Sequence, residues 1–217
     1  MSKYLPITVL ESRWYKDGNH SVKGFFDNLA LIHRDNPAAY HYEMFNNKES
    51  IKEIICRIQD SQYGNCVYIG AHGSQIEIFG AGENKISRTE IRNIFNRNQA
   101  GGVYFAACEF MNVGNASFFL LESAYISPWW FAGFSKSTEW MTSSLFDTIF
   151  FDIYLRTYGT ELQKITKTAK IMRTNFSGYV NALEFKIFTL QRGRYRTMIE
   201  LISGEKWRWQ HKKLIKI

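Results

Sequence analysis

Two apolar runs constrain this chain more than any other feature. Cys66 to Ala71 is short and uncharged, and it ends on His72-Gly73. Val103 to Ala107 follows Gly101-Gly102 and closes on Cys108-Glu109. Short runs without polar alternation suit strands buried on both faces, as in a mostly parallel sheet covered by helices. In such sheets, ligands and reacting groups collect beyond the carboxyl ends of the strands. Two neighbouring strands of this kind would bring an imidazole and a thiol to one edge, the pairing of a cysteine nucleophile and its base.

The rest of the chain alternates strand and helix patterns. Ile7 to Trp14 reads as a first strand and Asp17-Gly18-Asn19 as a turn. Ser21 stands where a helix cap belongs, ahead of Phe25, Phe26, Leu29 and Ile32 at helical spacing, and Asn36-Pro37 ends that helix. Ala39 to Phe45 alternates as a second strand. Lys48 to Asp60 places Ile51, Ile54, Ile55 and Ile58 on one helical face. A hairpin-like stretch runs from Gln75 to Ser87 with its turn at Gly80 to Gly82. Ser87 and Glu90 then form a capping box that opens another helix. Trp129 to Phe134 reads as a strand, and Met141 to Tyr158 as a long helix with Leu145, Ile149, Ile153 and Tyr154 inward. Thr160 to about Leu183 reads as helix. Phe185 to Leu190 and Tyr195 to Ile202 read as a hairpin joined around Arg192-Gly193. This order is the signature of an α/β fold.

The 217 residues suit one domain, with a core over about 4–158 and a basic α+β C-terminal extension over about 159–217. A chain of this length buries roughly 70% of the surface that its unfolded form exposes, so it needs no metal or disulfide staple. Cys56, Cys66 and Cys108 lack pair spacing; with no secretion signal core after Met1 and no run able to span a bilayer, a reducing cytoplasm is expected. Cys56 and Cys66 read as inert core thiols. His20, His33, His41 and His211 form no metal-ligand spacing, and no glycine-rich phosphate loop is present, so neither metal nor cofactor is expected.

The net charge of +7 is uneven: from Glu161 onward there are 13 Lys and Arg against 4 Glu. Lys206-Trp207-Arg208-Trp209 interleaves cations with indoles, which suits single-stranded nucleic acid. The competing reading is a terminal segment whose tryptophans pack on the body while its cations stay in water.

"YIGAHGS", a short hairpin, "ISRTEIRNIF", "GGVYFAACEF" and "WWFAGFSKSTEW" together resemble the caspase-like cysteine peptidases, most closely the CHAT branch related to caspases and separase. The resemblance spans roughly Ile7 to Tyr158. It implies a three-layer α/β/α sandwich with a mostly parallel central sheet. It also implies a dyad of His72 and Cys108, with the amides of Gly73 and Cys108 as oxyanion donors, hydrolysing peptide bonds in a protein substrate. Caspases place a glutamine two residues before the cysteine, and legumain and the metacaspases an acid; here Ala106 stands there. In caspase-like enzymes the stretch after the next strand pairs with substrate, which makes Ser135, Lys136, Ser137 and Glu139 candidates for substrate contact. Glu139 has a second reading as a helix N-terminal charge, and Glu109 either caps a helix or faces substrate. CHAT-like peptidases often act in defence or cell death under the control of a partner or of processing, so a regulatory protein partner is expected. The alternative is a silent caspase-like adaptor that grips nucleic acid or protein through its basic C-terminal third.

Overall fold

The computed structural model describes residues 3–14, 20–59, 66–96, 100–122, 128–193, 195–210 and 213–217. In chain order these form β1 (Ile7–Glu11), α1 (Lys23–Arg34), β2 (His41–Met44), α2 (Lys48–Gln59) and β3 (Cys66–Gly70). A small three-stranded sheet follows, made of β4 (His72–Gly73), β5 (Glu77–Phe79) and β6 (Lys85–Ser87), and then α3 (Arg88–Phe95). Next come β7 (Gly102–Ala106), α4 (Val113–Leu120), β8 (Trp130–Phe134), α5 (Trp140–Arg156), α6 (Glu161–Asn175) and α7 (Ser177–Ala182). The chain ends in β9 (Phe185–Gln191), β10 (Thr197–Glu200), β11 (Lys206–Gln210) and β12 (Lys213–Lys216).

Among the described residues one sheet runs β12-β11-β10-β9-β8-β7-β3-β1-β2. Its strands from β2 to β8 pair in parallel, and those from β8 to β12 pair antiparallel. Alternate residues of the central strands feed two cores. Val67, Ile69, Val103 and Phe105 pack with Ile51, Ile55, Ile91 and Phe119 on one face. Tyr68, Tyr104, Ala106 and Trp130 pack with Phe26, Phe146, Phe150 and Met172 on the other. Helices on both faces explain why β1, β3, β7 and β8 are buried along their whole length, and the three α/β/α layers follow.

Local signals decide the element ends. Ser87 accepts from the Glu90 N–H while Glu90 takes the Ser87 N–H, and the capping box opens α3. Lys48 donates to the same Glu90 carboxylate at 2.8 Å. That bond, together with those from Ser87, holds the Glu90 pKa down at about 2.

Several expectations change. The C-terminal stretch, α6, α7 and β9 to β12, extends the main sheet from the β8 edge rather than standing beside it. The sheet-facing stripe of α5 is Phe146, Asp147, Phe150, Phe151 and Tyr154, while Leu145 is 51% exposed. The aromatic rings, not the aliphatic ones, meet Tyr104 and Phe185. Val22 stands at the N-cap of α1, while the Ser21 hydroxyl accepts the Lys23 N–H at 3.1 Å and donates to Glu11. Ile32 faces outward. Cys56 is exposed on α2, outside the stripe of Ile51, Ile54, Ile55 and Ile58, while Cys66 is buried. The expected turn at Asp17-Gly18-Asn19 and His211 lie outside the described residues.

Gly102 is required by packing, since a Cβ there would stand 1.9 Å from the Trp130 ring. Gly102→Ala should lower stability by about 1–3 kcal/mol, read as a Tm several degrees below wild type. An unchanged Tm would mean that Trp130 does not cover this position.

Candidate active site

The β3–β7 register pairs Gly70 with Ala106, and the Ala71 N–H adds one more bond to the Ala106 carbonyl at 3.2 Å. The two strands therefore end level. His72-Gly73 and Ala107-Cys108 leave the sheet side by side. Their closeness is shown at Gly73, where a Cβ would stand 2.6 Å from the Cys108 carbonyl oxygen and 2.9 Å from the Ala107 Cβ. Glycine is needed because one backbone runs against the other.

The imidazole is oriented from β1. His72 Nε2 lies 2.5 Å from the Trp14 carbonyl, and the Trp14 indole meets the ring edge-on at 5.5 Å. A carbonyl only accepts, so Nε2 carries hydrogen, and in the neutral ring Nδ1 is the nitrogen that takes a proton. Trp14 is itself held by Glu11, which closes β1 with its side chain buried. The Glu11 carboxylate accepts from Trp14 Nε1 at 2.5 Å, Ser21 Oγ at 2.6 Å, Tyr42 Oη at 2.7 Å and the Val22 N–H at 2.8 Å. Sequence reasoning passed over Glu11; its signal was a charge closing an otherwise apolar strand.

The thiol is half-buried. Sγ accepts the Thr138 N–H at 3.5 Å and lies 3.8 Å from both the Thr138 carbonyl and Oγ1. His72 and Cys108 face one small cleft of about 60 Å3, but among the described residues Sγ is bonded to Thr138 and not to the imidazole. Catalytic hydrogen bonds are often long or unformed before substrate binds. No acceptor takes the Cys108 N–H among the described residues.

Asp147, from the second turn of α5, lines the same cleft. Tyr68 Oη donates to its Oδ2 at 2.8 Å, and Tyr104 Oη donates to Oδ1. Burial raises its pKa to about 7, against the lowering by the two tyrosine bonds. This residue was read only as part of a helix; a lone acid between Phe146 and Phe150 was the available signal.

The remaining candidates divide. Glu109 adopts a left-handed φ of 61°, its N–H bonded to the Lys136 carbonyl at 3.1 Å. It does not cap the following helix, because Asn112 does so by accepting from Asn115. Glu109 and Ser135 line a second groove with Arg88 and Asn112, one that includes neither His72 nor Cys108. Ser135 is bonded through N–H and Oγ to Glu184, Lys136 is half-buried, and Ser137 is exposed. Glu139 takes the helix role: it caps α5 by accepting from the Thr142 and Met141 N–H groups, which lower its pKa. In the basic terminal segment the two tryptophans divide. Trp207 is buried against Phe188, and the Arg208 guanidinium lies over Tyr195. Only Lys206 and Trp209 in that run present exposed side chains. Among the described residues no group of His, Cys, Asp and Glu could hold a metal ion, and no helix is long and apolar enough to cross a membrane.

No protein-family model and no curated protein matches this sequence. Solved structures do. An inactive zymogen of a C11 protease from Parabacteroides distasonis superposes at a TM-score of 0.52 and 12% identity, over 88% of this chain and 63% of that one. The Arg-specific cysteine proteinase gingipain R superposes at 0.50 and 10% identity, over 99% of this chain and 61% of that one. The fold is caspase-like. This caspase-like chain spans rather less than two thirds of either neighbour, and at such identities the likeness concerns the fold alone.

Two outcomes follow from the buried acids. Glu11→Ala strands donors from Trp14, Tyr42 and Val22, at about 1–3 kcal/mol each. Urea unfolding should shift to a much lower midpoint, and an unshifted midpoint would show that Glu11 holds nothing. Asp147 has a folded pKa raised to about 7 from 3.8. Its contribution to stability is therefore fully present below about 3.8 and is lost as pH rises through about 7. Between pH 5 and pH 8 the Tm of wild type should fall relative to that of Asp147→Asn; parallel curves would contradict the assignment.

Proposed function

We propose that this protein is a cysteine endopeptidase with Cys108 as nucleophile and His72 as its base. One observation carries this reading: His72-Gly73 abuts the backbone of Cys108 at level strand ends, with thiol and imidazole facing one cleft. The fold shared with two cysteine proteinases agrees with it.

In the mechanism we infer, the Sγ–H proton passes to His72 Nδ1 and the thiolate attacks the carbonyl carbon of the scissile peptide. The Gly73 and Cys108 N–H groups receive the developing oxyanion; one such donor is typically worth about 10²–10³ in turnover. Collapse breaks the C–N bond, and the imidazolium returns its proton to the leaving amine. Water, deprotonated by the same nitrogen, then hydrolyses the thioester. Trp14, held by Glu11, keeps the ring in the tautomer this sequence needs. Sγ must leave Thr138 to reach substrate, which suits an enzyme switched on by a partner or by processing. The motif resemblance to the CHAT branch favours a role in defence or cell death, and unpaired thiols suit a reducing compartment. The nucleic-acid adaptor reading keeps Trp209 but not Trp207 for stacking, and we favour the peptidase reading over it.

A cysteine-reactive peptidyl electrophile should label Cys108, and Cys108→Ala should abolish both labelling and cleavage. His72→Ala should slow labelling by about 10²-fold or more. Labelling of His72→Ala at the wild-type rate would remove dyad chemistry.

A further inference from the structure

We propose that the groove at the N-terminal ends of α3 and α4 receives the substrate segment that follows the cut, and that Arg88 selects an acidic side chain there. This deepens the peptidase reading and rests on it. The cleft that Cys108 faces is walled by α5, which packs into the core on one face of the sheet. The groove is walled by α3 and α4, which pack into the core on the other face. The level ends of β3 and β7, with Gly73 against Cys108, stand between the two spaces. A chain bound across Sγ therefore has one arm in the cleft and the other directed at the groove. The caspase-like resemblance gives the position of Ala106, which lines the cleft, to the side chain before the cut, and that leaves the groove to the chain after it. At about 280 Å3 the groove is the roomier of the two. Glu109 lines it directly after Cys108, and an extended chain advances about 3.3 Å per residue, so the first few residues beyond the cut reach it.

A buried amide network forms the groove floor. Asn115 is fully buried; its Nδ2 donates to the Gln75 carbonyl at 2.8 Å and to the Phe110 carbonyl at 2.7 Å. Its Oδ1 accepts from Arg88 Nη1 at 3.2 Å. Asn112 Nδ2 donates to the same Gln75 carbonyl and to the Glu109 carbonyl, both at 3.0 Å. The segments that leave His72-Gly73 and Cys108 are thereby pinned to each other and to α3. Arg88 is held from a second side, since its guanidinium lies 4.6 Å from the centre of the Phe118 ring. Arg92, one turn along α3, lies 3.8 Å from the same ring. Among the described residues Arg88, Arg92 and Glu109 form no ion pair. The one acid of α3, Glu90, is already engaged by Lys48 and Ser87. A guanidinium presents a rigid fork of N–H donors, and one bond to an amide leaves others for a carboxylate. Held in advance, such a group loses little freedom on binding.

Glu109 makes the groove discriminate along its length. Its left-handed φ of 61° turns the chain directly after Cys108, and the turn is fixed by its N–H on the Lys136 carbonyl and its own carbonyl on Asn112. Such a conformation is uncommon for a glutamate and persists only where the surroundings hold it. With no ion pair between them, the acid stands at the end beside the nucleophile and the Arg88 cation further along. An acidic side chain entering next to Cys108 would meet the like charge of Glu109. One or two residues further on it would meet Arg88, with the first turns of α3 and α4 adding partial positive charge. Ile76, 54% exposed at the groove, offers its methylene part an apolar surface. The preference is thus for aspartate or glutamate at the second or third residue after the cut, not at the first.

The test incubates wild-type protein with a library of synthetic peptides of random sequence and reads the new amino termini by mass spectrometry, with Cys108→Ala as the blank. Aspartate and glutamate should be enriched about threefold or more at the second or third position after the cut. Arg88→Gln should bring that enrichment to within about 1.5-fold of the library, and Glu109→Gln should extend it to the first position. Raising sodium chloride from about 0.05 M to about 0.5 M should weaken the wild-type preference. Thermal melts check that Arg88→Gln is folded; if it is not, the salt trend decides. Cutting with no acid preference, a preference that survives in folded Arg88→Gln, or acid enrichment before the cut instead would overturn the inference while keeping the peptidase reading. No cutting, together with Arg88-dependent retention of acidic peptides by Cys108→Ala protein, would do the reverse. No cutting and no such retention would overturn both.

Discussion

The parallel ladder between β3 and β7 governs this molecule. Gly70 opposite Ala106, with Ala71 bonded to the Ala106 carbonyl, fixes where two chain segments leave the sheet. A slip of one residue would turn Tyr68 and Tyr104 out of one core and Val67 and Val103 into it. Because both faces are covered by helices, that exchange is blocked by packing on either side. The site is thus fixed by the same register that builds the core.

Around that edge, each reactive group is held from a different element. The ring of His72 is turned by the Trp14 carbonyl that follows β1, and the Trp14 indole is held by a carboxylate with four donors. The thiol rests on the residue before the Glu139 cap of α5. Asp147 enters two turns further along the same helix. Movement of α5 would therefore shift both the sulfur and the cleft floor, whereas movement of β1 would shift the ring. This division lets the thiol rest away from the imidazole while the cleft itself stays formed.

Much of this was legible in the residues. The apolar runs at Cys66 to Ala71 and Val103 to Ala107 give the central strands, and the Ser87–Glu90 box gives the start of α3, because both are local signals. The stripe on α5 was misread because aliphatic residues were weighed above aromatic ones in a helix apolar on nearly every side. The α4 helix went without bounds for a related reason: Val-Gly-Asn-Ala-Ser-Phe-Phe-Leu has no polar face. Glu11, Thr138 and Asp147 could not be found by spacing. Thr138 and Asp147 act on partners tens of residues away, and Glu11 reaches His72 only through Trp14, so only the sheet order brings them to the site. The run of cations and indoles at Lys206 to Trp209 suggested a ligand surface; β11 instead buries Trp207 against Phe188 and leaves Trp209 exposed.

The most direct measurement is a crystal structure of the protein after reaction with a peptidyl chloromethyl ketone. We expect a thioether bond to Cys108 Sγ, the contact with Thr138 broken, and His72 Nδ1 turned toward the bound inhibitor. An unmodified Cys108 still lying on Thr138, with the inhibitor attached elsewhere, would contradict the account at its centre.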